Sequence, residues 1–170
     1  MDVFQAIIQR YSCRSYDPRP IEPEKITKLL EAARFAPSAR NRQDWRFVVV
    51  TDPDTKAKLS KAAYDQRSLI EAPVVIVACS NSDNVMRCGQ PVAPIDVAIA
   101  LEHIALQATE LGLATCWIGS FYPDKVKAIL DIPPDISIIE LMTVGYPADL
   151  QPTTKRQPLE TIACFEKWAF

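Results

Sequence analysis

Apolar and polar positions along this chain follow two spacings, one helical and one strand-like, and the switches between them outline a mixed series of elements. Val3, Phe4, Ile7 and Ile8 recur at helical spacing behind Asp2, a residue type that caps helix starts, and predict a short first helix over 3–8. The turn Asp17-Pro18-Arg19-Pro20 follows, and Pro23 then opens a second helix. In it Ile26, Leu29, Leu30 and Ala33 share a face, and it ends near Pro37. Arg46 to Thr51 is valine-rich and stops at Asp52-Pro53, which reads as a strand. Lys56 to Ala63 predicts a short helix. Behind Pro73, Val74 to Cys79 is a continuous apolar run of the kind carried by a strand buried on both faces. Met86 to Pro94 reads as a loop with two prolines and a glycine. Ile95 to Leu111 is the longest helical pattern, broad and alanine-rich, with Gly112 where a left-handed terminal residue belongs. Ala114 to Ile118 and Ile138 to Val144 predict two more strands, with a helix over Pro123 to Leu130 between them.

After Pro147 the pattern breaks. Ala148 to Arg156 is polar and proline-marked, with almost nothing to bury, whereas Pro158 to Phe165 regains apolar residues and the chain closes on Trp168 and Phe170. A polar arm leading to an apolar end needs a surface to cover it, either on its own domain or on another subunit. The 170 residues, 48% of them hydrophobic, fit one domain over 1–170 with a sizeable core, with 148–170 as a C-terminal arm. A net charge of −2 gives no broad basic field for nucleic acid or an anionic membrane. No apolar run approaches the roughly 18 residues that span a bilayer, and Asp2 replaces the charged lead of a signal peptide, so the expected setting is the cytoplasm.

The most chemically suggestive stretch is Arg10-Tyr11-Ser12-Cys13-Arg14, just where the first helix should stop. In an extended backbone, residues two apart point the same way, so Arg10, Ser12 and Arg14 would present two guanidinium forks and a hydroxyl together. That set suits a phosphate, although arginines there also complement a helix C-terminus with nothing bound. The five cysteines form no Cys-x-x-Cys pair, so neither a zinc site nor an iron–sulfur cluster is indicated and no metal is expected. Cys79 and Cys116 read as buried hydrophobes, and Cys13 as an inert thiol, since the single histidine, His103, lies in a distant helix. No Gly-x-Gly-x-x-Gly, Walker or Gly-x-Ser-x-Gly pattern occurs, and no dedicated catalytic side chain is visible.

Arg-x-Ser-x-Arg-x-Tyr followed by Ala36-Pro37-Ser38-Ala39-Arg40-Asn41-Arg42-Gln43 resembles the nitroreductase-like flavoproteins. The resemblance continues through Leu111 to Phe121, through Val144-Gly145-Tyr146-Pro147, and into Lys155-Arg156-Gln157-Pro158-Leu159. It implies an α+β fold: a central, mainly antiparallel sheet of four strands flanked by helices, with the C-terminal arm exchanged in a homodimer. It also implies one FMN per subunit at the dimer interface. The FMN phosphate would be held by Arg10, Ser12, Arg14 and Arg156, with Tyr11 alongside and Lys155 either joining them or merely solvated. The ring would meet Pro37, Ser38, Asn41 and Gln43 from the partner's loop, and Ile118 with the Gly119 backbone beneath N5. Gly145 falls at another flavin-facing position. Asp44 stands before Trp45 where the family often has proline, which leaves Asn41 and Gln43 less firmly assigned.

The activity implied is an FMN-dependent oxidoreductase taking hydride from NADH or NADPH and passing electrons to a nitroaromatic- or quinone-like acceptor by ping-pong turnover. Two alternatives stay open: a flavin-binding or sensing protein without turnover, and reduced-flavin chemistry such as dehalogenation or fragmentation of the flavin. Specificity is expected from the loop Asn81 to Pro94, where Arg87 is either a solvated surface residue or a guide for an anionic group.

Overall fold

The computed structural model describes residues 1–148 and 155–170. Its centre is a sheet of four strands, β1 (Trp45–Val50), β2 (Val74–Ser80), β3 (Ala114–Ile118) and β4 (Ser137–Gly145), in the order β1-β2-β4-β3. Every neighbouring pair is antiparallel, as the resemblance implies. β2 lies inside the sheet and all seven of its residues are buried, which is why it reads as an unbroken apolar run. Its even positions Val74, Ile76 and Ala78 pack under α2 (Pro23–Arg34) and α5 (Val92–Glu110). Its odd positions Val75, Val77 and Cys79 face α3 (Pro53–Ala62), α4 (Arg67–Glu71) and α6 (Pro123–Leu130).

Helix boundaries depart from the sequence pattern where proline sits in a first turn. α5 begins at Val92 rather than Ile95, because Pro94 occupies a first-turn position whose missing N–H has no intrahelical role. α3 likewise begins at Pro53, with Asp52 as its cap: the Thr55 amide donates to Asp52 Oδ2 at 2.8 Å. α4 leaves no mark in the sequence because five residues are too few to show a period. At the far end of α5 Gly112 adopts φ +73°, and the Leu113 amide reaches back to the Ala108 carbonyl at 2.8 Å, closing the helix as expected. α5 is also long and apolar enough to cross a membrane by length and composition, contrary to the expected absence of such a run. Here it serves as the central helix of the core, its buried side chains packed on the sheet.

α1 (Val3–Gln9) is capped by Asp2, whose Oδ1 accepts from the Gln5 amide at 2.8 Å. Only Ala6 of this helix is buried; Val3, Phe4, Ile7 and Ile8 face outward. The apolar stripe predicted from the sequence therefore exists, and its large side chains are exposed rather than packed into the core.

Just past β4, the Tyr146 hydroxyl donates to Glu22 Oε2 at 2.6 Å and accepts from Lys25 Nζ at 2.5 Å. The Tyr146 hydroxyl above all, and then the backbone amide and Lys25, hold the Glu22 carboxyl down at about 2 instead of 4.5. A carboxyl held below its unfolded value stabilises the fold above that value, and the contribution fades as pH falls from 4.5 toward 2. Tyr146→Phe removes the largest cause. Its thermal midpoint should therefore decline less steeply than that of the parent across that acid range, as scanning calorimetry at several pH values would show. Parallel acid limbs would count against this linkage.

Candidate functional site

The chain leaves α1 at Arg10 and runs alongside the outer edge of β3. Ser12 forms a parallel bridge with Thr115, and the Cys13 amide donates to the Thr115 carbonyl at 2.9 Å. Tyr16 then pairs antiparallel with Pro147, and the Asp17 amide donates to the Tyr146 carbonyl at 2.9 Å. Residues 12–17 thus act as an extra edge strand, which fixes where the flanking arginines stand. Ser12 and Arg14 fall together as the alternation predicts: Arg14 Nη1 donates to the Ser12 carbonyl at 3.3 Å. Arg10 diverges from them. Its Nε lies 3.4 Å from Glu102 Oε1 on α5, close enough for an ion pair, yet this buried nitrogen makes no hydrogen bond among the described residues. Burial pushes the Glu102 carboxyl above its usual range, and Arg10 only partly opposes that. Tyr11 is half-buried and packs against the cluster of Cys13, Tyr16, Ala72 and Ala114.

Cys13 is buried, and its thiol donates to the Ser15 carbonyl at 3.1 Å, a sealed setting for the inert role expected of it. Burial also raises the thiols of Cys116 and Cys79, the latter to about 11. His103 packs between helices, its Nδ1 3.1 Å from the Ala32 carbonyl.

β3 delivers buried Ile118 and then the exposed pair Gly119 and Ser120. Gly119 faces Glu140 of β4: a Cβ at Gly119 would stand 3.2 Å from Glu140 Oε1. The Glu140 carboxyl has no hydrogen bond or ion pair among the described residues, and burial raises its pKa. No sequence motif assigns it a role. The one signal is a single acid inside the apolar run Ile138-Ile139-Glu140-Leu141-Met142. Gly145 has a packing role besides the flavin-facing position that the resemblance implies for it. The space for its Cβ is filled by protein, with Pro73 Cδ at 2.6 Å and Tyr16 Cδ1 at 2.7 Å, so this glycine permits close packing.

The segment after α2 forms a strained turn. Pro37 is exposed and Ser38 half-buried, and a short 3-10 turn spans Ala39–Asn41. Arg40, Asn41 and Gln43 all take positive φ, at 54°, 54° and 56°. Such backbone persists only where its surroundings over-determine it. Here the buried Asp96 carboxylate accepts the Ala39 amide at 3.2 and 3.0 Å, and Ser38 Oγ accepts the Gln43 amide at 3.0 Å. The Gln43 side-chain amide donates to the Asn41 carbonyl and to Asn41 Oδ1, each at 3.2 Å. Sequence reasoning misses Asp96 because an acid in a helical pattern looks like ordinary surface.

Asp96 and Glu102 both belong to α5, six residues apart in sequence. That spacing separates them by about 9 Å along the axis and roughly 120° around it. The turn at 37–43 and the segment at 10–14 are therefore anchored to different faces of one helix. No hydrogen bond or ion pair among the described residues joins the two groups. Lys155 and Arg156 are exposed, and among the described residues Arg156 Nη1 donates to the Lys155 carbonyl, at 3.1 Å. Residues 155–170 are all exposed, Leu159, Ile162, Phe165, Trp168 and Phe170 included. Positions 149–154 of the arm lie outside the described residues. No hydrogen bond or ion pair among the described residues joins Arg156 to Arg10, Ser12 or Arg14.

The profile of the Nitroreductase family matches residues 7–68 and 60–146. The chain is 33% identical over 194 aligned residues to an NADH dehydrogenase of Thermus thermophilus, covering 95% of each. It is 26% identical to an FMN reductase [NAD(P)H] of Bacillus subtilis, covering 95% of this chain and 72% of the relative. Among solved structures, a nitroreductase family protein from Clostridium difficile superposes with a TM-score of 0.89 at 35% identity, covering 99% of this chain and 100% of that one.

Proposed function

The chain belongs to the nitroreductase family and is an oxidoreductase, and from that premise we propose that it is an FMN-dependent homodimer. It would carry electrons from NADH or NADPH to a small, flat acceptor of nitroaromatic or quinone type. The observation that carries this reading is the Ser12–Thr115 bridge, which lays the arginine segment beside the strand that leads into exposed Gly119. Residues more than a hundred positions apart in the sequence thereby share one edge of the sheet.

The residues present fit the cofactor. Arg10 holds a buried Nε with no hydrogen bond, and Arg14 has no carboxylate partner among the described residues. Those are the donors a phosphate needs to offset its desolvation. Ser12 would add a hydroxyl, and Arg156 of the arm a further cation. Gly119 offers a backbone amide with no side chain in the way, and Glu140 beside it sets the local charge. Pro37, Ser38, Asn41 and Gln43, held by Asp96, would close the site from the second subunit. Bound there, FMN would supply the redox chemistry between nicotinamide and acceptor. The protein's share is binding, orientation and exclusion of water, with nicotinamide and acceptor using one site in turn, hence ping-pong kinetics.

Exposed apolar surfaces support the dimer. α1 turns its apolar stripe outward, and Met1, Val3, Ala6, Phe35, His103 and Leu106 line an apolar cavity of about 390 Å³ beside it. The exposed apolar residues of the arm are the complementary element that a second copy would bring. All five cysteines are free thiols, which suits the cytoplasm expected from the sequence.

The purified protein should be yellow and release FMN on heating. Anaerobic NADH or NADPH should bleach it, and a quinone should restore the colour. Persistent absorbance with both nicotinamides would leave a flavin-binding protein without turnover. Arg14→Ala should weaken FMN binding by about 2 kcal/mol or more, as loss of a charge-assisted phosphate contact does. Unchanged affinity in a fluorescence titration would remove Arg14 from the phosphate site.

A further inference from the structure

Two loops far apart in sequence enclose a cavity of about 330 Å³, lined by Arg40, Arg42, Asn84, Val85, Met86 and Arg87 among others. No acid lines it, and none of the three arginines forms an ion pair or side-chain hydrogen bond among the described residues. In a chain of net charge −2, three unneutralised guanidiniums on one small cavity are mutually repulsive, and their clustering calls for an anion.

Both walls are built rather than loose. One is the positive-φ turn that Asp96 pins through the Ala39 amide. The other reads as irregular in the sequence but closes on itself as a small hairpin. Val85 bridges Pro91, the Met86 amide donates to the Gln90 carbonyl at 2.8 Å, and the Val92 amide donates to the Asn84 carbonyl at 2.9 Å. Gly89, at φ +86°, turns its tip. Arg87 is thereby set against Arg40 and Arg42, which the sequence alone could not show.

We propose that this cavity is a phosphomonoester site, held by Arg40, Arg42 and Arg87, and that it takes the 2′-phosphate distinguishing NADPH from NADH. The assignment rests on the reductase reading above. Guanidinium forks match phosphate oxygens in pairs, and three of them suit a dianion better than a carboxylate. Val85 and Met86 give the same cavity an apolar wall for the attached adenosine. The volume lies at the small end of ligand pockets, enough for part of a nucleotide rather than the whole of it. The turn also contributes Asn41 and Gln43, the residues proposed to reach the partner's flavin, so a nucleotide held here would lie next to the redox site.

The test is equilibrium binding to the flavin-loaded protein, by calorimetry, of adenosine 2′,5′-bisphosphate, AMP and inorganic phosphate. The bisphosphate should bind at least about tenfold more tightly than AMP, the scale of one charge-assisted phosphate contact. Arg87→Ala and Arg42→Ala should each erase most of that difference and raise the ratio of the NADPH to the NADH Michaelis constant by a similar factor. Arg87→Lys should recover part of it. Equal binding of AMP and the bisphosphate would overturn the proposal. Inorganic phosphate binding as tightly as the bisphosphate would also overturn it, assigning the cavity to a phosphorylated acceptor. These affinities are read without turnover, so an enzyme that neither nicotinamide reduces would fail the reductase reading while the 2′-phosphate preference was still measured.

Discussion

Deleting residues 148–170 is expected to give a protein that still folds but sediments as a monomer and holds FMN more than about tenfold less tightly, since it loses the Arg156 contact and, with the partner, the turn proposed to close the site. Folding should survive because every residue of the buried clusters precedes position 147. Association should not. The arm exposes Leu159, Ile162, Phe165, Trp168 and Phe170, and α1 exposes Val3, Phe4, Ile7 and Ile8. A large apolar side chain gains ~1.5–3 kcal/mol when fully buried, so a few such anchors decide whether two subunits stay together. Arg156 leaves with the arm, removing one of the cations proposed for the phosphate. Sedimentation velocity and flavin absorbance per chain measure both effects. A deletion variant that remains a flavin-loaded dimer would refute the exchanged arm.

Gly145→Ala is expected to be strongly destabilising. Its new methyl would lie 2.6 Å from Pro73 Cδ and 2.7 Å from Tyr16 Cδ1, both ring atoms that cannot swing aside as a chain end would. Tyr16 is further fixed by its hydroxyl, which donates to the Cys13 carbonyl at 2.9 Å and lies 2.8 Å from Thr143 Oγ1. Overpacking of this kind typically costs about 1–3 kcal/mol, and rings on two sides place the expected loss near about 3. In a domain of this size the thermal midpoint should drop by roughly 6–12 °C. Tyr16 belongs to the edge segment that carries Ser12 and Arg14, so FMN affinity should weaken as well. Gly119→Ala provides the contrast. It meets only the end of the flexible Glu140 side chain, at 3.2 Å, so it should leave the midpoint nearly unchanged and act on flavin affinity instead. Equal thermal losses in the two variants would contradict this division of roles.

Period, capping and turn chemistry are local properties, and the elements that depend on them are legible in the sequence itself. Asp2 as a cap, Pro23 and Pro123 as helix openers, Gly112 as a terminator, and the unbroken apolar run of β2 each follow from neighbours a few residues away. Family membership is legible as well, because its motifs are short and ordered along the chain. What lies beyond reach depends on distance in sequence. The pairing of Arg10 with Glu102, the hold of Asp96 on Ala39 and the place of Glu140 beside Gly119 each join residues separated by at least twenty positions. No periodicity encodes them. The same holds for Gly145, whose neighbours Pro73 and Tyr16 arrive from other parts of the fold. Arg87 alone stands out in the sequence as a possible guide for an anion, while Arg40 and Arg42 carry no such mark; only the folding of two loops against each other makes the three one cavity, since charge repulsion and its relief depend on spatial separation, not on order along the chain.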